Sequence, residues 1–86
     1  QELVEKYRAS GFELKEIINK KIAALSLRER ELCKLLIEGK SNQEIAEGLF
    51  IGVGTVKSHL NNIYKKLGTN NRVEVINLVG QNLTFL

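Results

Sequence analysis

Residue types that build catalytic and metal sites are scarce in this chain of 86 residues. It has no aspartate, so all ten acidic residues are glutamates, and it has one histidine and one cysteine. A phospho-accepting aspartate and an aspartate-based Mg²⁺ site are therefore excluded. His59 and Cys33 lie on different segments, and two such residues cannot build a metal site. No nucleophile, base and orienting group can be assembled, so we predict that the chain is not an enzyme and holds no cofactor.

Proline, tryptophan and methionine are also absent. Without proline, and with only three Phe and two Tyr, short packed helices are favoured over a turn-rich β-sandwich. The lone cysteine excludes an intrachain disulfide and suits a reducing compartment, which we take to be the cytoplasm. No apolar run approaches about 20 residues, so we expect neither a transmembrane helix nor a membrane partner. Because even the first residue is not Met, we expect the chain to be part of a longer protein.

The formal net charge is +3, and the basic excess is confined to the last third of the chain. Residues 1–52 contain nine Lys or Arg and nine Glu. Residues 53–86 contain Lys57, Lys65, Lys66 and Arg72 against Glu74 alone. A localised cationic face attracts phosphate groups. On charge alone, a phosphate-binding face and an ordinary solvated helix face are equally good interpretations.

Apolar spacing and capping residues predict a series of short helices. We expect helices over 2–9, 12–24, 26–38, 42–50 and 53–67, and a last helix that starts at Asn71. Ser26 and Ser41 each stand three residues before a Glu, which is the arrangement of a capping box, and Gly39 supplies a left-handed residue at a helix end. The residues predicted to face the core in the helices over 26–38, 42–50 and 53–67 are Leu27, Leu32, Cys33, Leu35, Leu36, Ile45, Ala46, Leu49, Phe50, Val56, Leu60, Ile63 and Leu67. The last helix is apolar around much of its circumference, with Val75, Ile76, Leu78, Val79 and Leu83, and this excess suggests a second partner.

Residues 41–68, SNQEIAEGLFIGVGTVKSHLNNIYKKLG, carry the most informative pattern. Two helical segments are joined by a short break at Gly52 to Gly54. The second segment has an aliphatic face and an opposite face of polar and cationic residues, without any acid: Ser58, Asn61 and Lys65, flanked by Lys57 and Asn62. This pattern is typical of a helix-turn-helix.

Residues 25–79 resemble the LuxR-type (GerE-type) DNA-binding domain of bacterial transcription regulators. The matching motifs, in order, are Arg28-Glu29-Arg30-Glu31, Gly39 with Ser41-Asn42, Glu44-Ile45-Ala46, Thr55-Val56-Lys57-x-His59, and Lys66-Leu67-Gly68 followed by Arg72. The resemblance implies an all-α fold: a four-helix helix-turn-helix bundle over residues 25–86, preceded by a linker helix region over residues 1–24. It also implies sequence-specific binding of double-stranded DNA by the C-terminal effector domain of a regulator.

The resemblance assigns roles to individual residues. The helix over 53–67 would enter the major groove and read base edges with Lys57, Ser58 and Asn61. The positions expected to contact the DNA backbone are Thr55, His59, Tyr64 and Lys65. In many relatives the last helix forms the contact of a homodimer, which here would involve Val75, Leu78 and Val79. RNA polymerase is a further candidate partner.

Alternatives remain open at three points. The apolar excess of the last helix could be covered by a second copy or by residues 12–24 of the same chain. The run Arg28-Glu29-Arg30 is best interpreted as a capping box with a bridge to a neighbouring helix. Gly52 replaces a serine N-cap of the family at little cost, and Gly54 replaces a polar residue. Gly54 supports the alternative function, a helical protein-interaction or dimerisation module with weak DNA affinity.

Overall fold

The computed structural model describes residues 14–81, which form five α-helices and no strand. The helices are α1 (Leu14–Ala23), α2 (Leu27–Ile37), α3 (Asn42–Leu49), α4 (Val53–Leu67) and α5 (Arg72–Gly80). The all-helical prediction is confirmed. The predicted helix over 2–9 lies outside the described residues, as does Leu83, one of the apolar residues of the predicted last helix.

Side-chain caps set where these helices begin. In α2, the Ser26 hydroxyl accepts from the Glu29 backbone N–H at 3.1 Å, and the Glu29 carboxylate accepts from the Ser26 N–H at 2.8 Å. Ser41 and Glu44 repeat this arrangement at the start of α3. Gly39 follows α2 with φ +84°, a left-handed conformation that glycine adopts without steric cost. The predicted capping boxes and the helix end at Gly39 are confirmed.

Helix α4 lies at the centre of the packing, where all four other helices contact it. One face of α4 supplies four buried aliphatic side chains to the core: Val56, Leu60, Ile63 and Leu67. Burying a side chain of this size contributes about 1.5–3 kcal/mol, so this face dominates the orientation of α4. The opposite face is consequently left in solvent.

The other helices complete a single core. Ile22 of α1 is fully buried and Ile18 nearly so, which places α1 in the same core as the four later helices. Val75 and Val79 of α5 are also fully buried, and α5 packs mainly on α2. Cys33 is buried too; burial, together with the negative charge of Glu29, raises the pKa of its thiol to about 12. Cys33 is therefore an inert core residue.

Two residues predicted to face the core are instead exposed. Leu27 is 78% exposed because it is the first residue of α2 and, at about 100° per residue, lies opposite the buried Leu32 and Leu36. Phe50 is 95% exposed because the chain leaves the helix there: it caps α3 with φ 57° and ψ 44°, a left-handed conformation. Helical spacing does not govern a residue outside the helix.

One buried carboxylate links the start of α2 to the end of α4. The Glu29 side chain is about 5% exposed, and its Oε1 accepts both from the Ser26 N–H and from Lys66 Nζ, the latter at 2.7 Å. The expected capping box with a bridge to a neighbouring helix is confirmed. Burial raises the pKa of Glu29, but the hydrogen bond from Lys66, the Ser26 N–H and the Lys66 charge outweigh it, so the pKa lies below its ordinary value.

We predict that Lys66→Ala destabilises the domain by about 1–2 kcal/mol, because it leaves the buried Glu29 carboxylate short of a charged donor. The Lys66 side chain is 40% exposed, so water offsets part of the loss. Urea unfolding at neutral pH measures the change. The matched control is Lys65→Ala, since Lys65 has no side-chain partner among residues 14–81; its effect should stay within about 0.5 kcal/mol.

The pH dependence gives this prediction a second readout. Because the folded state lowers the pKa of Glu29, its contribution is complete above the ordinary glutamate pKa of about 4.3 and is lost as the pH falls through the folded-state value. The stability difference between wild type and Lys66→Ala should therefore shrink in acid. An equal difference at neutral and acidic pH would contradict the role of this ion pair.

We also predict that Phe50→Gly stabilises the domain by about 1 kcal/mol, since a left-handed backbone costs about that much for a residue with a Cβ. The ring is almost wholly in solvent, so its removal costs little packing. Phe50→Ala is the control, because it removes the ring but keeps the backbone strain. In chemical unfolding of the three proteins, only the glycine variant should have a free energy of unfolding clearly above that of wild type. Equal stability of all three would show that the left-handed backbone at residue 50 is not strained.

Candidate nucleic-acid interface

The segment α3–turn–α4 forms a helix-turn-helix, with residues 50–52 as the turn. The Phe50 N–H and the Ile51 N–H both donate to carbonyls in the last turn of α3, and these hydrogen bonds end that helix. Gly52 is the N-cap of α4, with φ −78° and ψ 157°, and supplies no side-chain hydrogen bond. The predicted start of this helix at Val53 is confirmed.

The glycines at the start of α4 are not required by close packing. A Cβ added to Gly52 or to Gly54 would meet no atom within 4 Å, and neither residue has a positive φ. Gly54 lies in the first turn of α4, where glycine costs about 1 kcal/mol relative to alanine. Gly54 therefore makes the first turn of α4 less stable than an alanine at that position would.

The three residues predicted to read bases share the exposed face of α4. Lys57, Ser58 and Asn61 are exposed and lie away from the buried aliphatic side chains of that helix. The Ser58 hydroxyl donates to the Gly54 carbonyl at 3.2 Å, one turn earlier. Its proton is thus engaged within the helix, while its oxygen lone pairs are free to accept from a base.

The four residues predicted to contact phosphates border this face. Thr55 and Lys65 are exposed, and His59 and Tyr64 are half-buried. Helical spacing puts Thr55 and His59 along one edge of the face and Tyr64 along the other, with Lys65 between the edges. A helix in the major groove has phosphates on both sides, so this distribution matches two-sided contact.

Charge on the exposed face of α4 is entirely positive. Helix α4 contains no acidic residue. Within residues 14–81 the ion pairs are Arg28–Glu31 and Lys66–Glu29, which leaves the ammonium groups of Lys57 and Lys65 unpaired. Two unpaired cations beside neutral donors make a surface suited to a polyanion.

Arg72 holds the helix-turn-helix in place, a role that the sequence pattern did not reveal. Its guanidinium donates to the Lys40 carbonyl at 2.7 Å and to Asn42 Oδ1 at 3.1 Å. These bonds tie the start of α5 to the start of α3. Arg28 adds a bond to the Leu49 carbonyl at 3.4 Å, which ties α2 to the end of α3. Only the three-dimensional arrangement identifies such partners, because they lie more than twenty residues apart in the chain.

The described part of the chain contains neither a metal-binding group of side chains nor a membrane-spanning helix. Residues 14–81 contain no group of three or more His, Cys, Asp or Glu side chains placed to hold a metal ion. In the same residues, no helix combines the length and the apolar character needed to cross a membrane.

Comparison with known proteins identifies the family. Residues 19–79 match the family model described as bacterial regulatory proteins, luxR family. The chain is 44% identical over 61 residues to the CsgBAC operon transcriptional regulatory protein of Escherichia coli K12, covering 71% of this chain and 28% of that protein. It is 47% identical over 51 residues to the transcriptional regulatory protein LiaR of Bacillus subtilis 168, covering 59% of this chain and 24% of that protein.

The chain thus spans less than a third of the length of the curated relatives that it matches. The matched region contains the whole helix-turn-helix and most of the core around it. Fold, motifs and relatives agree: the chain belongs to the luxR family of bacterial regulatory proteins and carries its helix-turn-helix DNA-binding domain.

Proposed function

We propose that this domain binds duplex DNA in a sequence-specific manner as the C-terminal effector domain of a transcription regulator, with α4 in the major groove. One observation carries the proposal: the exposed face of α4 presents Lys57, Ser58, Asn61 and Lys65, free of acidic residues and opposite the buried face. The width of the major groove, about 12 Å, admits an α-helix.

Each side chain on this face has a chemical role in the proposal. The Lys57 ammonium donates to guanine O6 and N7, and the Asn61 amide pairs with adenine N6 and N7. Ser58 accepts from a base amino group, since its own proton is engaged by the Gly54 carbonyl. Lys65, with Thr55, His59 and Tyr64 at the edges, contacts phosphates and fixes the position of α4 without reading sequence.

We also propose that the domain dimerises on DNA through α5 and that the contact includes exposed residues of this helix. Of the three residues predicted for the contact, Leu78 is half-buried. Val75 and Val79 have no exposed surface in the single chain and cannot meet a second copy without unfolding. The face of α5 turned away from the core carries Val73, which is 61% exposed, and Asn77. Contact with RNA polymerase stays a prediction.

We predict that Asn61→Ala relaxes sequence preference, lowering affinity for the specific site by about 1–3 kcal/mol while leaving non-specific binding nearly unchanged. Lys65→Ala should weaken specific and non-specific binding alike, because a phosphate contact is independent of sequence. It should also reduce the slope of log affinity against log salt by about 0.9. Fluorescence anisotropy titrations with a specific and a scrambled duplex at several salt concentrations measure both effects.

These titrations also separate the two candidate functions. Equal effects of both substitutions on specific and scrambled DNA would contradict the division of the α4 face. If wild-type protein bound no duplex even at low salt, the domain would instead be a protein-interaction module, the function that Gly54 favours. Gly54→Ala tests separately whether Gly54 weakens DNA binding, because the added methyl group meets no neighbouring atom and should stabilise the first turn of α4.

We predict that Val73→Glu gives a monomer on DNA, because it places a carboxylate in the proposed contact between two α5 helices. Sedimentation of protein–duplex complexes measures the number of bound chains. Leu27→Glu is the matched control, since it adds the same charge at an exposed apolar residue on α2. A dimer that survives Val73→Glu would exclude this face of α5. Val75→Glu cannot serve as the test, because a charge at that buried position would disrupt the core itself.

A further inference from the structure

A lysine from α1, outside the helix-turn-helix, lies over the end of α4. Lys21 Nζ is 3.8 Å from the position that a Cβ on Gly68 would occupy, and Gly68 is the C-cap of α4. Helix α1 packs on α4, and Lys21 is half-buried while its neighbour Lys20 is exposed. The aliphatic stem of Lys21 is thus held by packing, which aims the ammonium at one place on the surface.

That place borders an open groove along the last turns of α4. The groove is lined by polar groups and a cation, without a carboxylate: Asn61, Tyr64, Lys65, Gly68, Thr69 and Asn70. Gly68 is therefore shared by the groove and by the contact with Lys21. The groove begins at Asn61 on the proposed base-reading face and extends past the end of the helix.

Three side-chain groups beside this groove are not used within the described residues, whereas the Asn70 backbone N–H donates to the Glu74 carboxylate at 2.6 Å. The Lys21 and Lys65 ammonium groups have no hydrogen-bond or ion-pair partner in residues 14–81, where Lys66 supplies the one lysine ion pair. The Thr69 hydroxyl oxygen is buried and also lacks a partner. Two unpaired lysines beside one groove make a site suited to an anionic ligand from outside the chain.

The C-terminus of α4 constrains what that ligand can be. Its last carbonyls carry a partial negative charge, which repels anions unless cations offset it. Lys21 and Lys65 provide that offset at the end of the helix where it is needed. A phosphodiester of a DNA strand that already lies on α4 has the right charge and location, because the groove starts at the DNA-facing residue Asn61.

We propose that this groove holds a DNA backbone phosphate and that Lys21 of α1 contacts it together with Lys65. The inference rests on the proposed function. It extends the DNA-contacting surface beyond the helix-turn-helix to α1, the last residues of which lie at the start of the family match. It also makes the placement of α1 a determinant of DNA affinity, since α1 must be docked for Lys21 to reach the groove.

The test compares Lys21→Gln with Lys20→Gln, which remove the same charge at adjacent positions of α1. Glutamine keeps most of the aliphatic stem, and thermal unfolding of both variants checks that the fold is intact. The probe is one 20-base-pair duplex, titrated by fluorescence anisotropy over a range of salt concentrations. Lys21→Gln should reduce the slope of log affinity against log salt by about 0.9, the value for one phosphate contact, and Lys20→Gln should leave it at the wild-type value.

The possible failures are distinguishable. A wild-type slope for Lys21→Gln, in an experiment where Lys65→Ala does reduce the slope, would overturn the Lys21 contact and leave the proposed function standing. An equal reduction by Lys20→Gln would also overturn it, because the effect would then be one of net charge. Absence of any duplex binding by the wild type would refute the proposed function and this inference with it.

Discussion

Burial of one aliphatic face of α4 is the constraint on which the rest of this structure depends. Every other helix packs against α4, and its four core residues lie at helical spacing along its length. Once that face is buried, the polar side chains opposite it must face solvent, because a helix is rigid about its own axis. Core packing thus orients the side chains that we propose to read DNA, although none of the core residues would contact DNA.

Polar contacts then fix the neighbours of α4. Glu29 joins α2 to α4 through Lys66, and Arg72 joins the start of α5 to the start of α3. Two adjacent lysines on α4 have different surroundings: Lys66 pairs with the buried Glu29 carboxylate, whereas Lys65 is unpaired and borders the groove. Helical geometry separates their directions by about 100°, so Lys66 can stabilise the fold while Lys65 is left for the DNA contact that we propose.

Local features could be predicted from the sequence, and features that depend on tertiary placement could not. The caps at Ser26 and Ser41, the left-handed Gly39 and the aliphatic face of α4 depend on residues within one or two turns, so their spacing was sufficient. Leu27 and Phe50 were misplaced because both lie at a helix end, where the helical period stops. The burial of Val75, the partners of Arg72 and the position of Lys21 over Gly68 depend on how helices pack against each other. Part of the candidate site could be predicted. The exposed face of α4 followed from the helical spacing of its residues, whereas the groove beside that face could not be predicted from spacing.

We propose above all that the exposed face of α4 reads DNA sequence. Selection of bound duplexes from a random-sequence library by the wild-type domain tests it most directly. We expect enrichment of a defined site composed of two inverted half-sites, about one helical turn apart, as a two-fold dimer requires. Recovery of sequences no different from the input library, by a protein that still binds DNA, would contradict it.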